Sequence, residues 1–294
     1  MVMSQIFTIT QDPGFTQGTK GNKYWAIRQH DRCTAGKNNC PAAAWDMKTI
    51  LSYANSFEFK GDLYRQSGYA EQSWIAIMQG KTPWGTAANG PTSCELTRPA
   101  TTSSFGSLST DNIFPKLASQ HWYINAAMAW FTDLKPTFAN VKARGLINLW
   151  FRDKVTTSQH LVLDLAMICL KKSGTDWVKE TFTVGGPYYG PPYQVTVSGT
   201  TKTAHYNVVI TSNPNSGVWK SVGALDIDSY VNSAITYNWS GNNPGKGWVN
   251  HSSRSQWELW DAEMGVELDD NSYNSTGQIG KCRMATKNFQ VLYE

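Results

Sequence analysis

From residue 121 onward the chain alternates apolar and polar positions in runs of five to a dozen residues, set apart by turn-forming clusters. The clearest run is Trp257–Leu268, Trp-Glu-Leu-Trp-Asp-Ala-Glu-Met-Gly-Val-Glu-Leu. With a period of two, one face carries Trp260, Ala262, Met264, Val266 and Leu268. The other carries Asp261, Glu263, Gly265 and Glu267. A strand sends successive side chains to opposite faces, so this is a half-buried strand bearing a row of carboxylates. The acidic face looks into water or a wet cleft, because isolated charges do not stay buried.

Strands are also predicted over Trp122–Trp130, Ala143–Phe151, Gln194–Ser198, His205–Thr211, Trp219–Val231 and Asn288–Tyr293, and over Leu161–Leu170, which is apolar but for Asp164 and reads as a strand covered on both faces. Earlier in the chain, Ile6–Thr10, Tyr24–Ile27, a run from Phe57 and Ser73–Gln79 read the same way, the last ended by Gly80. Trp45, Ile50 and Tyr53 among good helix formers suggest a short helix within Ala42–Tyr53; no other helical period stands out. Residues 8–23 and 80–112 are rich in Thr, Ser, Gly and Pro and read as long irregular loops. Many strands at short spacing, with no repeat or linker, predict one all-β domain over residues 1–294: a two-sheet antiparallel β-sandwich.

Composition sharpens this. Thirteen Trp and thirteen Tyr in 294 residues exceed the needs of a core, and charged residues are only 16%. Surplus amphipathic rings belong at surfaces and clefts. A net charge of +4 without a basic block gives no support to nucleic-acid binding, and no apolar run approaches membrane-spanning length. The start Met1-Val2-Met3-Ser4-Gln5 lacks an apolar signal region, which fits either a removed signal or a cytosolic start; three Asn-x-Ser/Thr sequons lean slightly toward a secreted protein whose signal is not present in this chain. Of five cysteines, Cys33 and Cys40 flank a turn and suit a small disulfide, and Cys169 reads as a core thiol. No set of Cys and His has metal-ligand spacing, and no cofactor motif is present.

An aromatic-rich cleft with carboxylates points to sugar chemistry. Glycoside cleavage uses two facing carboxyl groups, ~5–5.5 Å apart for retention and ~6.5–9.5 Å for inversion. Glu263 and Glu267 lie on one strand, about 13 Å apart, so the partner must come from another strand. Asp164 is the sole charge in the apolar run Leu161–Leu170 and is the leading choice; a buried partner for its charge is the structural alternative. Asp133, Asp226 and Asp228 sit near turns and are weaker. The loop Gly185-Gly-Pro-Tyr-Tyr-Gly-Pro-Pro-Tyr193 is either a tyrosine platform at a cleft rim or a stiff loop whose rings pack down, the second slightly favoured. Trp150, Tyr188 and Tyr189 are the rings expected to meet a sugar.

Five segments resemble glycoside hydrolase family 12, the endo-β-1,4-glucanases and xyloglucanases. They are Leu146-Ile-Asn-Leu-Trp, Leu163-Asp-Leu-Ala-Met-Ile-Cys-Leu, the Gly185–Pro192 loop, Val218-Trp-Lys-Ser-Val-Gly-Ala-Leu and Met264-Gly-Val-Glu-Leu. The resemblance covers mainly residues 140–294. It implies a concanavalin-like β-jelly roll with a concave substrate groove. It also implies Glu267 as acid/base, Asp164 as nucleophile, Asn148 orienting it, and Glu263 beside them, raising the Glu267 pKa by like-charge repulsion. Asp261 would join Asn148 and the aromatic residues in binding substrate. Matching Met167-Ile168 to the family strand puts Leu165 at the nucleophile position; Asp164 reaches it through a bulge or a one-residue slip. The implied activity is hydrolysis of a β-linked polysaccharide by a monomer without metal or cofactor. A lectin on the same fold and a polysaccharide lyase stay open beside it.

Overall fold

The computed structural model describes residues 4–8, 26–33, 44–49, 56–65, 71–80, 93–94, 116–117, 121–136, 141–156, 159–188, 193–198, 201–238, 253–270 and 277–293. In chain order these form strands β1 (Ser4–Thr8), β2 (Ala26–Cys33), β3 (Ala44–Thr49), β4 (Ser56–Arg65), β5 (Glu71–Gly80), β6 (Ser93–Cys94), β7 (Lys116–Leu117), β8 (Trp122–Phe131), β9 (Val141–Asp153) and β10 (Gln159–Ser173). There follow β11 (Asp176–Lys179), β12 (Tyr193–Ser198), β13 (Thr201–Val209), β14 (Lys220–Asp226), a helix α1 (Asp228–Asn238), β15 (Trp257–Asp270) and β16 (Gly277–Tyr293).

Two sheets result. The smaller runs β14-β8-β16-β4-β3, with β1 also on β16. The larger runs β12-β13-β10-β9-β15-β5-β2-β6, with β11 on β10 and β7 on β15. Pairing is antiparallel except between β10 and β13, which run parallel. The sheets share one buried cluster: Trp122, Ile124 and Met128 of the small sheet meet Ile147, Leu163 and Met264 of the large one. This is the two-sheet β-sandwich that the period-two pattern predicts. Gly145 on β9 marks a close approach between the sheets, since a Cβ there would lie 2.6 Å from Met128 Sδ. Each large-sheet strand has a second, outer face turned away from this core.

The helix expectations need correction. Residues 44–49, placed in a short helix, form strand β3 paired with β4. Trp45, Met47 and Thr49 alternate there with Asp46 and Lys48, a period of two. The strand expected over Trp219–Val231 ends at Asp226 and gives way to α1. Ile227, Val231, Ala234 and Ile235 are buried at helical spacing. Asp226 Oδ1 accepts the Asp228 amide at 2.8 Å, which turns the chain into the helix. Irregular loops predicted over 8–23 and 80–112, and the Cys33–Cys40 disulfide, lie largely outside the described residues.

Asp228 is a structural carboxylate. It accepts from the Trp122 amide at 3.1 Å and the Arg254 guanidinium at 3.0 Å, and contacts His121 Nδ1. Burial pulls its pKa up, but the Arg254 and Trp122 hydrogen bonds outweigh this and hold it below the ordinary carboxylate value. A depressed folded pKa contributes stability above the unfolded value of ~3.9, lost as pH falls through the folded value. The melting temperature should therefore drop on acidification below about pH 4. Asp228→Asn should cost ~1–3 kcal/mol near neutrality and flatten that acid limb. An unchanged acid limb in thermal melts of the variant would remove Asp228 from this account.

Candidate active site

The outer face of the large sheet is built around β15. A bulge between Leu259 and Asp261 breaks the alternation, so Trp257 and Leu259 share the core with Ala262, Met264, Val266 and Leu268. Glu263 and Glu267 take the opposite, outer face. The backbone of Asp261 holds the same parity; its side chain and that of Trp260 are not described.

Strand β9 lies beside β15, and its outer face answers the acids with a basic ladder. Arg144 stands level with Glu267 and Arg152 with Glu258, while the Lys142 ammonium pairs with Glu180 at 2.9 Å. Arg144 Nη1 donates to Glu267 Oε1 at 2.8 Å, and Arg152 lies 3.5 Å from Glu258. Opposite charges on facing strands offset the repulsion among like charges along one strand. Glu263 departs from this pattern: the residues directly opposed to it are Asn148 on β9 and Met78 on β5. It is 1% exposed.

Asp164 sits on the other side of β9. The strand β10 carries a bulge between Ala166 and Ile168, so Met167 and Ile168 both join the core cluster. That extra residue leaves Leu165 in the core and Asp164 on the outer face, 5% exposed. Asp164 is level with Asn148, and Asn148 with Glu263. On the far side, the parallel strand β13 sets Asn207 level with Asp164. One row therefore crosses four strands: Asn207, Asp164, Asn148, Glu263.

Asp164 is held from both flanks. His205 Nδ1 lies 2.8 Å from its Oδ2. With the Asn148 amide nitrogen turned toward it, that nitrogen donates to Oδ1 at 3.2 Å. Trp150, buried on β9, meets the His205 ring edge-on, with centroids 6.1 Å apart.

Glu267 lies elsewhere. It is level with Arg144, four residues along β15 from Glu263 and one strand beyond β9 from β10. Two strand spacings and four rises put its Cα roughly 16 Å from that of Asp164. The expected Glu267–Asp164 pair is thus not brought together; Glu263 is the acid brought level with Asp164.

Tyr188 is no open platform. Its ring is 1% exposed, lies 5.5 Å from the Arg144 guanidinium, and its hydroxyl donates to Asn207 Oδ1 at 3.3 Å. Gly185 adopts φ +85°, which favours glycine, and its amide donates to the Val209 carbonyl at 2.7 Å. The glycine pair thereby pins the loop to the end of β13 and lays Tyr188 over Leu146, Ala166, Cys169 and Val209. Tyr189 lies outside the described residues. Burial pushes the Cys169 thiol up to about 12, so it is unreactive despite facing this side.

Arg144, His205 and Asn207 were not singled out from the sequence. Each meets its partner through pairing between distant segments, and no local motif marks them. Among the described residues no group of three His, Cys, Asp or Glu could hold a metal ion.

No protein-family model matches the sequence, and no curated protein matches it. Among solved structures the chain is similar to a metagenome-derived glycoside hydrolase family 12 endoglucanase, with TM-score 0.36 and 13% identity over 87% of this chain and 99% of that one. It is also similar to a cellulase derived from Cel12A of Rhodothermus marinus, with TM-score 0.36 and 11% identity, covering 90% and 100%. A third is the family 11 xylanase from Neocallimastix patriciarum, with TM-score 0.44 and 11% identity, covering 98% and 99%. No residue of the site is carried over from them.

Proposed function

We propose that the protein is a glycoside hydrolase cleaving a β-linked polysaccharide, with Asp164 and Glu263 as its two carboxylates. The observation that carries this reading is their shared row on the outer face, one strand apart across Asn148. Two strand spacings set their Cα atoms roughly 9.5 Å apart, which suits a carboxyl gap inside the ~5–9.5 Å span used by glycosidases.

The roles follow from reach and fixation. Glu263 has the longer side chain and protonates the leaving glycosidic oxygen. Asp164, gripped at both oxygens, attacks the anomeric carbon or draws the proton from the attacking water. Asn148 orients Asp164, and Trp150 walls the site. Glu267, which the family resemblance favours as acid/base, is assigned instead to the ion pair with Arg144. Such a polymer is met outside the cell, so secretion belongs to the same proposal.

The test is a screen of neutral and uronic polysaccharides, scoring new reducing ends and the ultraviolet absorbance of unsaturated products. Reducing ends without that absorbance are expected on a neutral β-glycan. Unsaturated ends would make it a lyase, and binding without any cleavage a lectin.

A further inference from the structure

We propose that His205 is a positioning residue for Asp164, fixing the carboxylate through a hydrogen bond donated by its Nδ1–H. The catalytic consequence rests on the glycosidase reading of Asp164; the place of the proton does not.

The parallel pairing of β10 and β13 sets His205 level with Val162, one diagonal step from Asp164 on the same face. Its Nδ1 reaches Asp164 Oδ2 at 2.8 Å, with side-chain exposures of 20% and 7%. On the other side its ring abuts Trp150 at an interplanar angle of 77°. The imidazole is wedged between a carboxylate and an indole and has little freedom to turn. An ionised carboxylate only accepts, so the bond requires the proton on Nδ1. Neutral histidine in water prefers its proton on Nε2, so the pair selects the less common tautomer.

Asp164 is then clamped by donors from both neighbouring strands, His205 on Oδ2 and Asn148 on Oδ1. Each oxygen keeps a second lone pair for the reaction. A short aspartate rotates freely unless held, and a misplacement of about 1 Å costs roughly 10²-fold in rate. Asn148 alone fixes one oxygen and leaves the carboxylate plane free to swing; His205 removes that motion.

The test has two arms on the full chain. In ¹⁵N-labelled protein, at a pH where histidine is neutral, long-range ¹H–¹⁵N correlations report the tautomer of His205, assigned by its loss in His205→Asn. The Nδ1–H form is expected, reverting to Nε2–H in Asp164→Ala. An Nε2–H form in the unsubstituted protein overturns the proposal whatever the activity.

In kinetics, His205→Leu should lower kcat by about 10–100-fold at nearly unchanged KM. His205→Asn returns an amide donor near the Nδ1 position and should recover most of that loss, which a merely structural role would not predict. Full kcat in His205→Leu, alongside a dead Asp164→Asn, overturns the positioning role. Full turnover in Asp164→Asn itself would overturn the glycosidase reading and the positioning role together, while the tautomer result judges the hydrogen bond alone.

Discussion

Replacing Glu263 by Gln should lower turnover on a β-linked glycan by about 10²–10⁴-fold, and Asp164→Asn should do the same. Each substitution keeps the shape of the side chain and removes one proton-transfer or nucleophilic group that acts in the transition state. KM should therefore move far less than kcat. The two losses should not add, because the carboxylates act as a unit on one bond. Glu267→Gln is the discriminating control. Its carboxylate sits on Arg144 rather than level with Asp164, so its effect should be smaller and accompanied by lost stability. A dead Glu267→Gln beside an active Glu263→Gln would show that the wrong acid has been placed across from Asp164.

Arg144→Met should cost about 3–5 kcal/mol of stability. The Arg144 side chain is 2% exposed and that of Glu267 12%. Cutting the guanidinium breaks the bond to Glu267 Oε1 and removes the flat cation beside the Tyr188 ring. The methionine fills most of the vacated volume, so the loss reports the broken ion pair rather than a cavity. Arg144→Met combined with Glu267→Leu should regain much of the stability, since an apolar pair of similar volume replaces a buried ion pair at little cost. Urea denaturation of the two single variants and the double one measures this coupling. A loss under about 1 kcal/mol for Arg144→Met would class the pair with exposed ion pairs.

How much of this was legible in the sequence depended on distance along the chain. The β15 alternation was readable because period two survives over Asp261–Leu268 without interruption. The facing of Asp164 is less legible: the family resemblance leaves a bulge or a one-residue slip open, and the apolar run alone does not mark the extra residue at Met167 that decides it. Helix α1 reads as strand in the sequence because Val222, Leu225 and Ile227 extend an apolar pattern into it; the turn at Asp226 is the stop signal. The choice between Glu263 and Glu267 is a matter of which β9 residue stands opposite each. Residues more than a hundred positions apart make that register, and only pairing reveals it. In the sequence the Tyr188 loop reads as rim or cover, with cover slightly favoured; the bonds of Gly185 and Gly186 to β13 decide for cover.

The parallel joining of β13 to β10 also bears on how the molecule is made. A hairpin cannot join parallel strands, so β13 reaches β10 only after the chain has passed through β11 and β12. His205 comes to Asp164 across 41 residues, and Glu267 to Arg144 across 123. Such separations cost loop entropy before any contact rewards it, and they place folding at the slow, milliseconds-to-seconds end of the range for small domains. During synthesis β9 emerges with its basic ladder long before the acids of β15 exist. For that interval Arg144 and Arg152 stand without the carboxylates they meet in the finished sheet, while Lys142 already has Glu180. The outer face is finished only when the last third of the chain arrives to neutralise it.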